Sequence, residues 1–295
     1  MIKRIYGKIL ARILKVDLSK RMSLQEMQND FGDKINNNIP FLAGKLGGNE
    51  AYAMFEEEFG TKASKTKSTY LLGFKAGFYP ATIDNLPRYH EIMKEALSEM
   101  DYIFPWGVTG EGYFIKKYCK SDVKLSGTLE VAFSNHPFSK HFAGKKILVI
   151  HPFVDTIRKQ YENNREKLFE NKDVLPLFEL KTLKSVESYF GKPDERFPTW
   201  FDALDYLKEE AMKIDFDIAL IGCGSYGLPL AAYLKSQGKS AIHMGGSLQM
   251  LFGIKGKRWE NYGDLDSFTN EYWTVPSDAE TPKDADKIEG GCYWK

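Results

Sequence analysis

The stretch "DIALIGCGSYGLPLAAYLKSQGKSAIHMGG", residues 217–246, reads as a strand, a glycine turn, a helix and a second strand. Ile218, Ala219, Leu220 and Ile221 form an unbroken apolar run, the pattern of a strand covered on both faces in a parallel sheet. Gly222, Gly224 and Gly227 follow in G-x-G-x-x-G spacing, which allows a tight turn, a close approach of backbone to a phosphate, and packing of helix on strand. Amides at the start of the next helix then face an anion, and Ser225 and Tyr226 are placed to touch a phosphate there. Pro229 falls in the first helical turn, where its missing N–H costs nothing. Gly238 stops the helix, and Ser240 to His243 resume the strand pattern.

A nicotinamide or flavin dinucleotide site places an acid about 20 residues beyond the first glycine, where it binds ribose hydroxyls. The corresponding residues, Ala241, Ile242, His243, Met244, Gly245 and Gly246, contain no carboxylate. The expectation is that the turn holds no NAD, leaving a structural turn or a different phosphate ligand.

Lysines and arginines number 41 against 40 acids, so bulk charge gives no attraction to nucleic acid, and none is expected as a partner. Cys119, Cys223 and Cys292 are odd in number and far apart, which fits a reducing cytoplasm. No apolar run has the length of a membrane span, and the opening "IKRIYGKILARILK" mixes charge throughout, unlike a signal peptide. In that opening Ile2, Ile5, Tyr6, Ile9, Leu10, Ile13 and Leu14 recur at helical spacing among Lys3, Arg4, Lys8, Arg12 and Lys15. Such a basic amphipathic helix either packs on the domain or another subunit, or makes a peripheral membrane contact through residues 1–15.

Further units follow the same plan. Phe41–Leu46 is expected as a strand and Asn49–Phe59 as a helix; residues 61–82 read as a loop rich in Lys, Thr and Ser. Asp84 is placed to cap a helix over 85–100, and "DYIFPWG" is a short strand. Lys146–Ile150 is a strand with His151 at its carboxyl end, followed by a helix over Phe153–Phe169. "DVLPLFELKT" is another strand, and Thr199 opens a helix leading back to Ile218. The fold class is therefore α/β: a Rossmann-like, mostly parallel sheet with helices on both faces. The organisation is an N-terminal helical extension over 1–38, the Rossmann-like domain over 39–262, and a tail over 263–295 that wraps the domain.

After the second strand, Gly245 and Gly246 precede Ser247, a plausible helix cap, and Lys255, Lys257 and Arg258 form a compact basic group suited to a diphosphate. His151 and His243 stand at strand ends, where open α/β sheets bind ligands. Asp155 and Arg158 are three apart on one helix and pair readily with each other. No Gly-x-Ser-x-Gly elbow surrounds Ser225, which argues against hydrolase chemistry.

The motifs "GKLGGNE", "VIHPFVDTIRKQYENNREKLF", "DFDIALIGCGSYGLPLAAYLKSQGKSAIHMGG", "LFGIKGKRW" and "ETPKDADKIEGGCYW" together resemble a family of bacterial glycosyltransferases with the GT-D type of fold, found among polysaccharide-assembly proteins. The resemblance covers most of the chain after residue 40. It implies a hexosyl-type transferase using a nucleotide-diphosphate sugar, with a glycan or lipid-linked acceptor, in the cytoplasm at the inner face of the membrane. In that family a Gly-Asp-Gly-Glu element after the first strand acts at the diphosphate through a metal, Mg²⁺ or Mn²⁺. Here Gly47, Gly48, Asn49 and Glu50 occupy it; Glu50 matches the second acid and Gly48 stands where the first would be. The resemblance further implies that Gly222, Gly224, Gly227, Gly245 and Gly246 hold the donor and that Lys255, Lys257 and Arg258 neutralise it. An inverting transfer also needs a base, for which Glu50, His151, His243 and Asp155 are the candidates. The competing readings are a Rossmann-like oxidoreductase or methyltransferase, and a non-catalytic nucleotide-binding subunit.

Overall fold

The computed structural model describes residues 2–131, 134–188, 193–257, 269–287 and 291–294. Seven strands form one sheet among these residues: β1 (Leu42–Gly44), β2 (Tyr102–Ile103), β3 (Lys124–Leu125), β4 (Lys146–His151), β5 (Glu179–Lys184), β6 (Ile218–Ile221) and β7 (Ser240–His243). Their spatial order is β3-β2-β1-β7-β6-β4-β5 and every pair is parallel, so the sheet expected to be mostly parallel is wholly so.

The helices are α1 (Ile2–Ile13), α2 (Leu24–Asn36), α3 (Gly48–Phe59), α4 (Lys62–Ala76), α5 (Leu86–Ser98), α6 (Glu111–Tyr118), α7 (Val154–Leu168), α8 (Trp200–Met212), α9 (Gly227–Ser236) and α10 (Ser247–Leu251). The apolar runs of the strands divide between two cores. Leu148, Ile150, Ala219 and Ile221 face Met54, Leu72, Tyr89, Trp200 and Leu230 from α3, α4, α5, α8 and α9. Ile147, Val149, Ile218 and Leu220 face Phe31, Ile157 and Leu248 from α2, α7 and α10. This double cover explains why the strands read as continuous apolar stretches.

After β4 the chain passes outward through α7 to β5, whereas after β6 it passes through α9 to β7 on the other side. β4 and β6 are neighbours, paired from Ile147 with Ile218 to Ile150 with Ile221. Their carboxyl ends are thus a topological switch point, where a crevice opens in such sheets.

Five expectations need correction. The stretch 61–82 is mostly the helix α4, which begins with a reciprocal Thr61–Ser64 capping box and ends at Gly77 with φ 83°. Its hydroxyls are satisfied inside the helix, Thr66 donating to Lys62 O at 3.0 Å and Thr69 to Lys65 O at 2.7 Å, while Ser68, Thr69 and Leu72 are buried. Asn85, not Asp84, stands at the cap of α5, and Gly246, not Ser247, at that of α10; the Ser247 hydroxyl donates to Glu130 at 3.1 Å instead. The first strand is shortened to Leu42–Gly44, and β5 lies further along the chain than "DVLPLFELKT" suggested. Thr199 caps α8 as expected, in a capping box with Asp202.

Trp273, Ala285 and Trp294 of the tail belong to the second core. Glu280 anchors the tail by capping another helix: its carboxylate accepts from Asp155 N at 2.8 Å, Thr156 N at 3.1 Å, Ser277 Oγ at 2.9 Å and the Thr156 hydroxyl. The Trp294 indole N–H donates to Glu280 O at 3.0 Å. Glu280→Ala leaves the first amides of α7 and a buried hydroxyl without their acceptor, at a cost of about 1–3 kcal/mol. We expect the melting temperature to fall by several degrees, measurable by calorimetry; an unchanged value would show the tail is held by its aromatic contacts alone.

Candidate functional site

A cleft of about 410 Å³ lies over the carboxyl ends of β1, β7, β6 and β4, within the usual range for small-molecule sites. Its floor is built from close backbone approaches. The Gly222 N–H donates to Ile150 O at 2.9 Å, and a side chain on Gly222 would fall 2.7 Å from His151 Cδ2 and 2.8 Å from Gly245 O. Gly224 has φ 57° and Gly245 φ 58°, left-handed conformations that glycine adopts without strain.

Two helices begin at the cleft. α3 starts with Gly47 at its cap position and α9 with Tyr226, and neither has a side-chain cap hydrogen bond. Their positive ends favour an anion. α7 also starts beside the cleft, at Pro152 and Phe153, but Glu280 occupies its leading amides.

Among the described residues the cations lining the cleft are Lys45 and Lys75, neither of them singled out in the sequence. Lys45 leaves the end of β1, passes Gly245 and sits with Nζ 5.4 Å from the centroid of the Trp106 ring. Lys75 is carried by the last turn of α4, whose terminal carbonyls are bound by cleft loops: Ser225 Oγ donates to Ala76 O and Ser188 Oγ to Gly77 O, each at 2.6 Å. Reading that helix as a loop concealed Lys75.

Aromatic rings form the rim. Trp106 is 47% exposed yet held on two sides, by its indole N–H on Leu46 O at 2.7 Å and by Glu111, whose carboxylate accepts from Trp106 N at 3.2 Å and Gly107 N at 2.9 Å. Tyr293 and Trp294 complete the wall.

The carboxylates lining the cleft, among the described residues, are Glu50 and Glu187. Glu50 folds back over Gly47, where an added side chain would fall 2.1 Å from Glu50 Oε2. Glu187 lies beyond β5, and burial pushes its carboxyl above the usual range despite the opposing charge of Lys184. Nothing in the sequence marked it except its place after a strand.

Gly47, Gly48, Asn49, Glu50, His151, Gly222, Gly224, Tyr226, His243, Gly245 and Gly246 are thus gathered in one cleft. Asp155 is not among them; it is exposed and pairs with Arg158 at 3.1 Å. Ser225 is buried and off the cleft lining, with the Trp200 indole donating to it at 2.9 Å, while Tyr226 lines the cleft with its hydroxyl engaged with Ser188 at 3.0 Å. Gly227 admits the His243 ring, which would lie 2.2 Å from a side chain there. Lys255 and Lys257 are exposed away from the cleft, and Arg258 lies outside the described residues.

His151 accepts the Phe153 N–H on Nδ1 at 3.0 Å, and burial lowers its pKa to about 3. It is therefore neutral near pH 7, with its proton on Nε2. Burial, with the Lys45 charge adding to it, likewise takes His243 to about 3, and its buried Nδ1 has no partner among the described residues.

The oxygen donors beside β1 are one carboxylate, Glu50, and one amide, Asn49, in a cleft that also holds Lys45. Mg²⁺ takes six oxygens, usually from one or two carboxylates together with waters and substrate phosphates. Beside β1 these residues offer the implied Mg²⁺ or Mn²⁺ ion a single carboxylate, and among the described residues no cluster of three or more His, Cys, Asp or Glu is suited to a metal.

Two solved structures are similar to the chain. One is a selenomethionine-substituted structure of domain of unknown function 1792, 14% identical, covering 81% of this chain and 82% of its own, with a TM-score of 0.41. The other, described as showing that the highly conserved domain of unknown function 1792 has a distinct glycosyltransferase fold, is 16% identical over 82% of each chain, with a TM-score of 0.40. No protein-family model and no curated protein matches the chain. At these values the likeness is one of outline, and the reading of the site rests on this chain's own residues.

The two histidines make stability depend on pH. Unfolded, each takes up a proton near pH 6.5; folded, each resists until about 3, so the unfolded state binds more protons between those values. Their contribution is complete above about pH 6.5 and is lost as pH falls toward 3. We expect the melting temperature to fall between about pH 7 and about pH 5, and His243→Gln to flatten part of that slope. An equal slope in the variant would show that His243 does not titrate this way.

Proposed function

We propose that the chain is a glycosyltransferase taking its sugar from a nucleotide-diphosphate donor. The observation that carries this reading is the meeting of two helix N-termini without side-chain caps, those of α3 and α9, with Lys45 and Lys75 in one cleft. That charge suits a diphosphate, and the held Trp106 ring offers a face for a base or a sugar to stack on. As the bond from the anomeric carbon to the diphosphate breaks, negative charge grows on the leaving oxygens. The two lysines and the helix amides stabilise it there. Glu187, whose raised pKa makes it a stronger base than an ordinary carboxylate, takes the proton of the acceptor hydroxyl as its oxygen bonds to the anomeric carbon. Glu50, against Gly47 at the start of α3, orients the donor. His151 donates a hydrogen bond through Nε2.

The motif resemblance extends the proposal to the GT-D class and to bacterial surface-polysaccharide synthesis, with a glycan or lipid-linked acceptor reached from the cytoplasmic face of the membrane. No helix of the described residues is long and apolar enough to cross a membrane, so contact with such an acceptor would be peripheral.

A thermal-shift panel of UDP-, GDP-, CMP- and dTDP-sugars, run beside NAD and S-adenosylmethionine with and without Mn²⁺, tests the reading. A ligand at 100 times its dissociation constant adds about 2.7 kcal/mol, and each kcal/mol is worth roughly 2–4 °C in a chain of this size. We expect a sugar nucleotide to give the shift, Lys45→Ala to lose most of it, and Glu187→Gln to keep it while turnover drops about 10²–10⁴-fold. A shift from NAD or S-adenosylmethionine alone would replace the transferase reading with the oxidoreductase or methyltransferase one.

A further inference from the structure

Helix α1 has two apolar faces, and the fold uses one of them. Leu10, Ala11 and Leu14 pack toward the first core, and Gly7 lies so close to Phe59 that an added side chain would fall 2.3 Å from Phe59 Cγ. Arg4 joins this inner face by pairing with Glu56 at 3.3 Å. The opposite face carries Ile5, Tyr6, Ile9 and Ile13, which are 53%, 56%, 47% and 70% exposed. Ile5, Ile9 and Ile13 are four apart and stand one above another along the helix. Lys3, Lys8, Arg12 and Lys15 are exposed around them, and no acid occurs before Asp17.

We propose that this outward face of α1 seats the protein on an anionic lipid surface. Apolar side chains enter the boundary between headgroups and acyl chains, while the flanking cations meet lipid phosphates. Charge decides between occupants. A second copy docking through the same face would bring two acid-free cationic stripes together, whereas an anionic bilayer neutralises them. Placement adds to this. The carbonyl of Leu14 lies 2.0 Å from where a side chain on Gly112 would begin, so α1 ends against the start of α6. Arg21, just beyond, donates to the Pro105 carbonyl beside the rim residue Trp106. The lipid-facing helix therefore ends next to the cleft mouth. The seating itself holds whatever reaction the cleft performs.

Flotation of the full chain with vesicles decides the matter, using equal parts phosphatidylglycerol and phosphatidylcholine in one arm and phosphatidylcholine alone in the other. The expected result is binding to the anionic vesicles, reduced at least tenfold in about 1 M salt, where the Debye length is about 3 Å. The variant Ile5→Glu/Ile9→Glu/Ile13→Glu leaves the inner face intact and should bind at least about tenfold less at an unchanged melting temperature. The variant Lys3→Gln/Lys8→Gln/Arg12→Gln/Lys15→Gln, which keeps Arg4 and every apolar contact, should lose the preference for the anionic arm. Equal partition into both kinds of vesicle, no binding by the full chain, or undiminished binding of both variants would overturn the proposal. So would a dimer in sedimentation that the isoleucine variant dissolves without any lipid binding by the parent, which would give the face to a second copy.

Discussion

The cleft depends on the close packing of backbone at Gly222. There the end of β6 passes so near His151 on β4 and the Gly245 carbonyl after β7 that no side chain has room. Because the neighbouring strands end together at that point, the loops after three of them form one floor. A larger residue would push β4 and β6 apart where their hydrogen bonding closes, at Gly222 N–H to Ile150 O. The buried, neutral histidines follow from the same crowding, since each ring fills space that a glycine leaves: His151 against Gly222 and His243 against Gly227.

This arrangement separates two uses of a glycine fingerprint that sequence alone leaves together. Gly222 and Gly224 line the cleft, while Gly227 serves helix packing by admitting a histidine. Ser225, between them, turns away into a junction with Trp200 and Ala76, while Tyr226 lines the cleft and its hydroxyl meets Ser188, so that the end of α4 is fixed there. The fingerprint is thus part ligand surface and part joint, and the joint brings Lys75 to the site.

Much of the fold was legible because a doubly covered parallel sheet writes itself as apolar runs, and Ile218–Ile221, closed by Gly222, and Lys146–His151 are clear instances. Helix α4 was not, because its inner face is made of Ser68, Thr69, Leu72 and Gly73, whose composition is that of a loop. The same kind of failure affected the charges. Lys255, Lys257 and Arg258 attract notice by being adjacent, whereas Lys45 and Lys75 are isolated in sequence and meet only through the topology. Glu187 carries no motif, and its chemistry arises from burial beyond a strand end. The tail adds Tyr293 and Trp294 to the cleft wall.

The sheet also has a seam. β1 meets β7 through three residue pairs, Leu42 with Ala241 to Gly44 with His243, and this is the strand pairing that joins the β1–β3 half of the sheet to the β4–β7 half. Partners so distant along the chain must bear the loop-closure entropy before their contact repays it, which makes such pairings late events in folding. Lys45 and Glu50 arrive from one side of the seam, Gly222 and His151 from the other. A chain that has folded both halves without joining them has most of its secondary structure and no cleft. Ligand binding therefore depends on the closed seam, and ligand present during refolding would favour it over the open one.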